Sequence, residues 1–290
     1  MNTNELAALI NLLDDPDDTI FTHVEEKIVT LGAPAIPVLE SAWETNMNSV
    51  LQSRIENIIH KIQFESVEKN LTQWIDNGAQ SLLDGLLIIA KYQYPDIDEE
   101  TIHEQINSIK RDVWVELRDD LTALEKVKIL NHIFFNIHGF AGNTSNFHSP
   151  NNSFVNAVLE SHKGNPLMMC AIYSIVAQSL NIPLMGINLP ELFILGYVDE
   201  HATGTSSVFE HGSNILFYVN VFAKGTVFGH KEIDKFLLQI KLQPNATHYE
   251  PCHNVDIIKR VLRNLIFAFE KNSDLKRVNE IKYILARIAE

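Results

Sequence analysis

The chain has 290 residues, a formal net charge of −14, 46% hydrophobic residues and two cysteines. This charge, without a basic stripe, excludes nucleic acid and anionic membrane surfaces as expected partners, and two cysteines are too few for a disulfide framework. The charge-free run between Lys163 and Glu191 is continuously apolar only as far as Leu180, which is too short for a membrane span. The N-terminus does not have the pattern of a signal peptide. We therefore expect a soluble, cytoplasmic protein that binds neither nucleic acid nor membranes.

Residues 1–65 are predicted to be all-helical. Apolar residues recur at helical spacing from Leu6 to Leu13, from Val24 to Leu31 and from Val50 to Ile62. Asp18 is a candidate N-cap, and Pro34 suits the first position of a helix. Short helices joined by a Gly-Ala-Pro turn resemble a HEAT-type helical repeat, so we predict a HEAT-like segment over residues 1–65.

The middle of the chain combines helices with a few strands. Helical patterns extend to residue 137, a polar loop follows over residues 139–151, and Ser153 is a candidate N-cap for a helix over residues 154–160. The Gly/Ser/Thr-rich residues 199–213 predict a second loop, and the last forty residues predict a helix hairpin. Strands are predicted only after residue 182, at residues 183–189, 192–198 and 214–222, the last of them buried on both faces.

Six short segments carry a resemblance to a known family. They are DGLLIIAKYQYP (84–95), GFxGN (139–143), NSF (152–154), GNPL (164–167), NLPxxFIL (188–195) and FYVNxFxxG (217–225). Their order resembles the bacterial Sir-B group of transglutaminase-like proteins over residues 66–240. The resemblance implies a mainly helical α+β fold, with a central helix on a small antiparallel sheet, in a domain over residues 66–245. The RxxRNL segment at 260–265 resembles a tetratricopeptide-like hairpin, which we place at residues 250–290.

The resemblance also assigns the positions at which active members of the superfamily carry their catalytic groups. A Cys at the start of the central helix, where the helix dipole lowers the thiol pKa, works with a His from the next strand and an Asp from the strand after it. In this chain the corresponding positions hold Pro166, Leu192 and Asn220. These side chains cannot serve as nucleophile, general base and carboxylate, so the resemblance implies a pseudo-enzyme.

Cys170 leaves an alternative open. It lies one turn after Pro166 on the same helix face and provides a thiol for a cysteine-dependent hydrolase or acyl transferase. Apolar residues make this helix hydrophobic on all sides, which is typical of a buried helix; they include Met168, Met169, Ile172 and Tyr173. Burial raises the pKa of a thiol and makes it inert, so we interpret Cys170 as a core residue.

A second cluster, His248, Cys252 and His253, contains residue types that bind metals. Its spacing matches no common zinc pattern, and a fourth ligand is not evident. We therefore interpret these residues as part of a connecting loop. The sequence gives no reason to expect a metal or a cofactor.

These observations favour a non-catalytic scaffold or regulatory module that binds a protein or peptide in a remodelled cleft. A purely structural subunit fits the same sequence. The loops 139–151 and 199–213 flank the cleft and are candidate contact segments. The candidate binding residues are Gly139, Phe140, Asn143, Asn152, Pro190 and Glu191.

Overall fold

The computed structural model describes residues 3–199 and 214–288. The chain divides into two compact units, Met1–Trp74 with Lys91–Asp96 and Ile75–Ala90 with Ile97–Glu290. The α+β class with mainly helical content is confirmed, since four antiparallel strands and two very short parallel ones stand among many helices in the described residues. No helix in the described ranges has both the length and the apolar character that crossing a membrane requires.

The first unit is helical, as its apolar periodicity predicts. It contains α1 (Thr3–Leu12), α2 (Asp18–Leu31), α3 (Ile36–Thr45) and all but the end of α4 (Ser49–Asp76). Their apolar faces share one core, which includes Leu13, Ile28, Leu39, Ile55 and Ile58. Because α4 is continuous through residues 65 and 66, the boundary that the sequence suggested there lies within one helix.

Two features of the turns in this unit differ from the prediction. Asp17, and not Asp18, is the N-cap of α2, and its Oδ1 accepts a hydrogen bond from the Thr19 amide at 2.8 Å. Pro34 lies in a 3-10 turn, Ala33–Ala35, that precedes α3. Both differences displace a helix start by one or two residues, which local sequence patterns do not fix.

The second unit contains the strands and the remaining helices. Its helices are α5 (Leu82–Gln93, whose last turn belongs to the first unit), α6 (Glu99–Glu116), α7 (Ala123–Asn131), α8 (Val155–Ser161), α9 (Pro166–Gln178), α10 (His230–Gln239), α11 (Asn254–Lys271) and α12 (Leu275–Arg287). A π-helix, His132–Ile137, extends α7. The capping box of Thr122 and Glu125 fixes the start of α7. The predicted pair of helices near the C-terminus corresponds to α11 and α12.

The strands form a parallel pair and an antiparallel sheet. The pair is β1 (Ala141–Gly142) with β2 (Lys163–Gly164), and the sheet has the order β3 (Leu184–Asn188), β4 (Phe193–Val198), β5 (Ile215–Asn220) and β6 (Thr226–Phe228). The prediction that strands begin only after residue 182 is therefore wrong for β1 and β2, which are too short to give a sequence pattern. β6 was also missed, and β5 is not buried on both faces, since Leu216 is 44% exposed.

Helix α9 is the centre of this unit. Its side chains from Leu167 to Ala177 are buried with the exception of Ile175, as expected for a helix that is apolar on all sides. It packs on β3 and β4 of the sheet and on α6. The start of α9 and the strand β4 thus lie side by side, and the candidate site is found beside them.

Candidate functional site

A cavity of about 590 Å³ lies at the N-terminal end of α9. Its walls come from the loop before α8, from the first turn of α9, from the start of β4 and from one face of α11. The lining residues are Phe147, His148, Ser149, Ser153, Asn165, Pro166, Leu167, Glu191, Phe193, Arg260, Asn264, Phe267 and Ala268. The cavity therefore contains the position at which the resemblance places a catalytic Cys.

The first turn of α9 is built as the sequence predicts. Asn165 is the N-cap, and its Oδ1 accepts a hydrogen bond from the Met168 amide at 2.8 Å. Pro166 is the first helical residue, where its missing N–H costs no hydrogen bond. Asn165 Nδ2 donates to Ser153 Oγ at 2.8 Å. Ser153 therefore supports the start of α9, and its predicted role as N-cap of α8 is wrong, because Phe154 occupies that position.

Asn143 and Asn152 hold the loop that forms one wall of the cavity. Asn143 Nδ2 donates to Asn152 Oδ1 at 2.8 Å. Asn152 Nδ2 in turn donates to the carbonyl oxygens of Asn146 at 2.7 Å and Phe147 at 3.0 Å. These bonds use both N–H groups of the Asn152 side chain, and Asn152 is buried, so the pair fixes the shape of this loop.

The other predicted binding residues of this region also lie outside the cavity lining. Phe140 is 3% exposed and stacks on Phe134 with ring centroids 4.2 Å apart. Gly139 precedes it with φ of 70°, a left-handed conformation that favours glycine. Both residues form the turn that leads into β1. Of the second predicted contact loop, 199–213, all but Asp199 lies outside the described residues.

The turn between β3 and β4 separates Leu192 from the cavity. Glu191 has φ of 59°, and both Glu191 and Phe193 line the cavity. Leu192 lies between them in sequence and packs instead against the cluster formed by Ile187, Ile194 and α10, beside a different, apolar depression. Leu192, to which the resemblance assigns the His position, therefore lies outside the cavity lining, and its neighbour Glu191 lines the cavity. Pro190 lies in the same turn and does not line it.

Asn220 also lies away from the cavity lining. It ends β5 and caps the 3-10 turn that follows, since its Oδ1 accepts a hydrogen bond from the Ala223 amide at 3.1 Å. Of the three positions that the resemblance assigns to the triad, only Pro166 lines the cavity. The described residues do not bring Pro166, Leu192 and Asn220 together in one lining.

Cys170 lies deep in the core beneath the cavity. It has no exposed surface, and its Sγ donates to the Phe193 carbonyl oxygen at 3.5 Å. Burial raises the pKa of this thiol to about 12, and the Val221 backbone and the charge of Arg260 lower it only in part. In the described part of the chain no histidine is hydrogen-bonded to Cys170. Among the residues that the structure describes, the thiol therefore has neither solvent access nor a hydrogen-bonded base.

Arg260 is one of the lining residues on α11 that the sequence analysis missed. Its Nη1 donates to Asn188 Oδ1 and to the Leu189 carbonyl oxygen, and its guanidinium carbon lies 5.7 Å from the centre of the Phe193 ring. Burial lowers the pKa of this guanidinium. The available signal was the helical spacing of Arg260, Asn264 and Phe267, which places these residues on one face of α11.

The residues of the His-Cys-His cluster lie elsewhere. His248 is in the 3-10 turn Ala246–His248, and its Nδ1 accepts a hydrogen bond from the Asn245 amide at 3.3 Å. The half-buried Cys252 donates its backbone N–H to the Gly186 carbonyl oxygen at 2.8 Å, and burial raises its thiol pKa to about 12. His253 is the N-cap of α11. Within the described ranges no three side chains of His, Cys, Asp and Glu converge as a metal site would require.

Comparison with known proteins gives the family. The family model described as the transglutaminase-like superfamily matches residues 100–263. A UPF0162 protein of Xylella fastidiosa (strain Temecula1) is 27% identical over 192 residues, 66% of this chain and 66% of that protein. A UPF0162 protein of Xylella fastidiosa (strain 9a5c) is 30% identical over 121 residues, 42% of this chain and 43% of that protein.

A eukaryotic protein shows a similar match. F-box only protein 21 of Mus musculus is 23% identical over 235 residues, which cover 73% of this chain and 36% of that protein. The chain spans 66% or less of the length of each of these three relatives. No solved structure matches the chain. Because the family model covers more than half of its residues, the chain belongs to the transglutaminase-like superfamily.

Proposed function

We propose that the chain is a non-catalytic member of the superfamily that binds a protein or peptide in the cavity at the start of α9. One observation carries this proposal: Pro166 occupies the first position of α9 at the cavity, where the resemblance places the catalytic Cys. Proline has neither a nucleophile nor an N–H. The thiol nearest in sequence, Cys170, is fully buried.

The hydroxyl groups of the lining do not replace the missing thiol. Ser153 Oγ accepts a hydrogen bond from Asn165 and is buried. Ser149 lines the cavity, but its side chain makes no hydrogen bond to His148 or to any other described residue. A serine nucleophile needs a base within hydrogen-bond reach, so this arrangement supports binding better than acyl transfer.

The aromatic residues of the rim support a peptide as the ligand. Phe147 and Phe267 are each 48% exposed and face the cavity from two different walls. His148 lies between them, with its ring 5.4 Å from Phe147 and 5.4 Å from Phe267. Exposed aromatic rings around a concave site are typical anchors for protein and peptide ligands.

Three further features belong to this proposal. The order of the six motifs supports membership of the bacterial Sir-B group within the superfamily. The short helices α1 to α3 support a HEAT-like segment, and the hairpin of α11 and α12 supports a tetratricopeptide-like one. Such helical segments provide surfaces for a scaffold or regulatory role in the cytoplasm.

Peptide capture tests the binding function. We would immobilise the purified protein and expose it to random octapeptide pools of defined composition. In the variant Ser149→Trp, a large side chain would fill the cavity from its rim; Thr144→Trp, on the same loop but outside the lining, is the matched control. We expect capture by the wild type and by Thr144→Trp, and at least tenfold weaker capture by Ser149→Trp. Equal capture by all three proteins would place binding elsewhere.

Turnover tests the non-catalytic part of the proposal. The wild type and Cys170→Ala would be incubated with a glutamine peptide and a fluorescent primary amine, and separately with an activated acyl ester. We expect both proteins to give the rate of the buffer alone. Turnover by the wild type that Cys170→Ala abolishes would establish instead a cysteine-dependent hydrolase or acyl transferase.

A further inference from the structure

Arg260 brings a positive charge to the cavity that the described protein does not neutralise. Its Nη1 donates to two oxygen acceptors, Asn188 Oδ1 and the Leu189 carbonyl oxygen. Both acceptors are uncharged. In residues 3–199 and 214–288 no carboxylate forms an ion pair with this guanidinium. A guanidinium has five N–H donors, so Nε and Nη2 keep donors for a ligand.

The charged groups around the cavity make this position distinct. Arg263, one turn further along α11, is exposed and outside the lining. His148 lies on the opposite wall, and Glu191 is the only carboxylate among the lining residues that the structure describes. Glu191 is exposed and makes no ion pair with Arg260. A ligand that enters the cavity therefore contacts a positive charge, that of Arg260, which no described carboxylate neutralises.

The surroundings of Arg260 favour a planar anion. The two hydrogen bonds and the nearby Phe193 ring hold the guanidinium in place. A fixed guanidinium fork matches the geometry of a carboxylate, which can accept two parallel hydrogen bonds. The first turn of α9 lies in the same cavity, and its partial positive charge acts in the same direction.

We propose that Arg260 binds a carboxylate group of the peptide that occupies the cavity. The proposal rests on the peptide-binding function proposed above and names the chemistry that the site selects. The carboxylate is either the C-terminus of the peptide or the side chain of an Asp or Glu. Both sources present the same planar anion to the guanidinium.

Four octapeptide pools distinguish a C-terminal carboxylate from a side-chain carboxylate. They carry a free or an amidated C-terminus, each with or without Asp and Glu in the random positions. We expect the amidated pool without acidic residues to bind the wild type about tenfold or more weakly than the best carboxylate-bearing pool, since hydrogen bonds to charged groups are the stronger class. The ranking of the other three pools identifies the carboxylate.

Variants of Arg260 and Arg263 test whether Arg260 causes the preference for carboxylate-bearing pools. Arg260→Gln keeps an amide donor on a shorter side chain but has no charge, and we expect it to bind all four pools as weakly as the neutral pool binds the wild type. Arg260→Lys should recover part of the preference, because it keeps the charge and loses the planar fork. Arg263→Gln removes a neighbouring charge outside the lining, and its preference should equal that of the wild type. Glu191→Gln should bind carboxylate pools at least as tightly as the wild type.

The outcomes distinguish the two proposals. In one outcome the pools bind, Ser149→Trp removes the binding, and the wild type binds carboxylate-bearing and neutral pools equally well. This outcome overturns the role of Arg260 and leaves the peptide-binding function supported. If no pool binds the wild type, both proposals fall. The comparison of the four pools uses the wild-type protein alone. The proposal can therefore be refuted even if Arg260→Gln does not fold.

Discussion

Asn165 and Ser153 join the start of α9 to the wall of the cavity through a buried hydrogen bond of 2.8 Å from Nδ2 to Oγ. The same asparagine also caps the helix through its Oδ1, which accepts from Met168. One side chain thus positions Pro166 relative to the loop that carries the aromatic rim. The stability of the unit and the shape of the cavity both depend on it.

Replacing Asn165 tests this double role. We expect Asn165→Ala to lower the free energy of unfolding by about 1–3 kcal/mol, because the helix loses its cap and Ser153 loses its donor. Asn165→Asp keeps the capping oxygen, and the Ser153 hydroxyl can turn to donate to it, so this control should lose less than half as much. Urea unfolding followed by circular dichroism measures both. An alanine variant as stable as the wild type would contradict the role.

The burial of Cys170 predicts a pattern of chemical labelling. Iodoacetamide reacts with thiolates, and a thiol whose pKa is raised to about 12 has almost none at pH 8. We expect Cys170 in the native protein to react at least a hundredfold more slowly than in urea. Mass spectrometry of peptides after limited labelling measures both rates. Rapid and selective labelling of native Cys170 would revive the cysteine-dependent alternative.

The same thiol predicts a dependence of stability on pH. The folded state holds the Cys170 proton up to about pH 12, whereas the unfolded thiol releases it near its ordinary value of 9.0. The stabilising contribution is therefore complete below pH 9 and is lost as the pH rises towards 12. At pH 10 the loss is on the order of 1 kcal/mol.

The variant Cys170→Ala isolates this contribution from those of other groups. Although the variant loses packing, its free energy of unfolding should fall less between pH 8 and pH 10 than that of the wild type. Urea unfolding at the two pH values measures the difference. Parallel changes in the two proteins would show that the thiol titrates alike in the folded and unfolded states.

Gly186 provides a test of how β3 supports the cavity. A Cβ at this position would lie 2.7 Å from Cζ of Phe193, a residue of the lining. We expect Gly186→Ala to cost about 1–3 kcal/mol through overpacking and to weaken peptide capture by displacing the ring. Gly229→Ala is the control, since its nearest neighbour would be 3.6 Å away and its φ is −107°. Gly229 is the N-cap of α10, so this variant loses only the preference of that position for glycine over alanine. If Gly186→Ala has the same free energy of unfolding and the same peptide capture as Gly229→Ala, the prediction is contradicted.

The start of α9 was predictable because its determinants are local. Asn165, Pro166 and the apolar residues that follow give the cap, the first turn and the burial of the helix without any distant contact. The resemblance supplied the class of fold in the same way, through segments whose order is visible in the sequence. Two-residue strands such as β1 give no such pattern.

Leu192 and Arg260 show what the sequence could not determine. Whether Leu192 or Glu191 faces the cavity depends on the left-handed conformation of Glu191, since a shift of one residue reverses the face that a side chain takes. Arg260 reaches Asn188, its hydrogen-bond partner 72 positions earlier in the chain. Such a contact follows from tertiary packing, so motif comparison interpreted the arginine only as part of a terminal hairpin.

The walls of the cavity come from widely separated parts of the chain. Three of them precede residue 194, and the fourth is a face of α11, which begins at Asn254. A ribosome would complete the rim loop, α9 and β4 some sixty residues before it adds the guanidinium and the last aromatic ring. Until that helix docks, the nascent chain lacks the Arg260 and Phe267 side chains of the cavity, so the proposed peptide recognition requires α11.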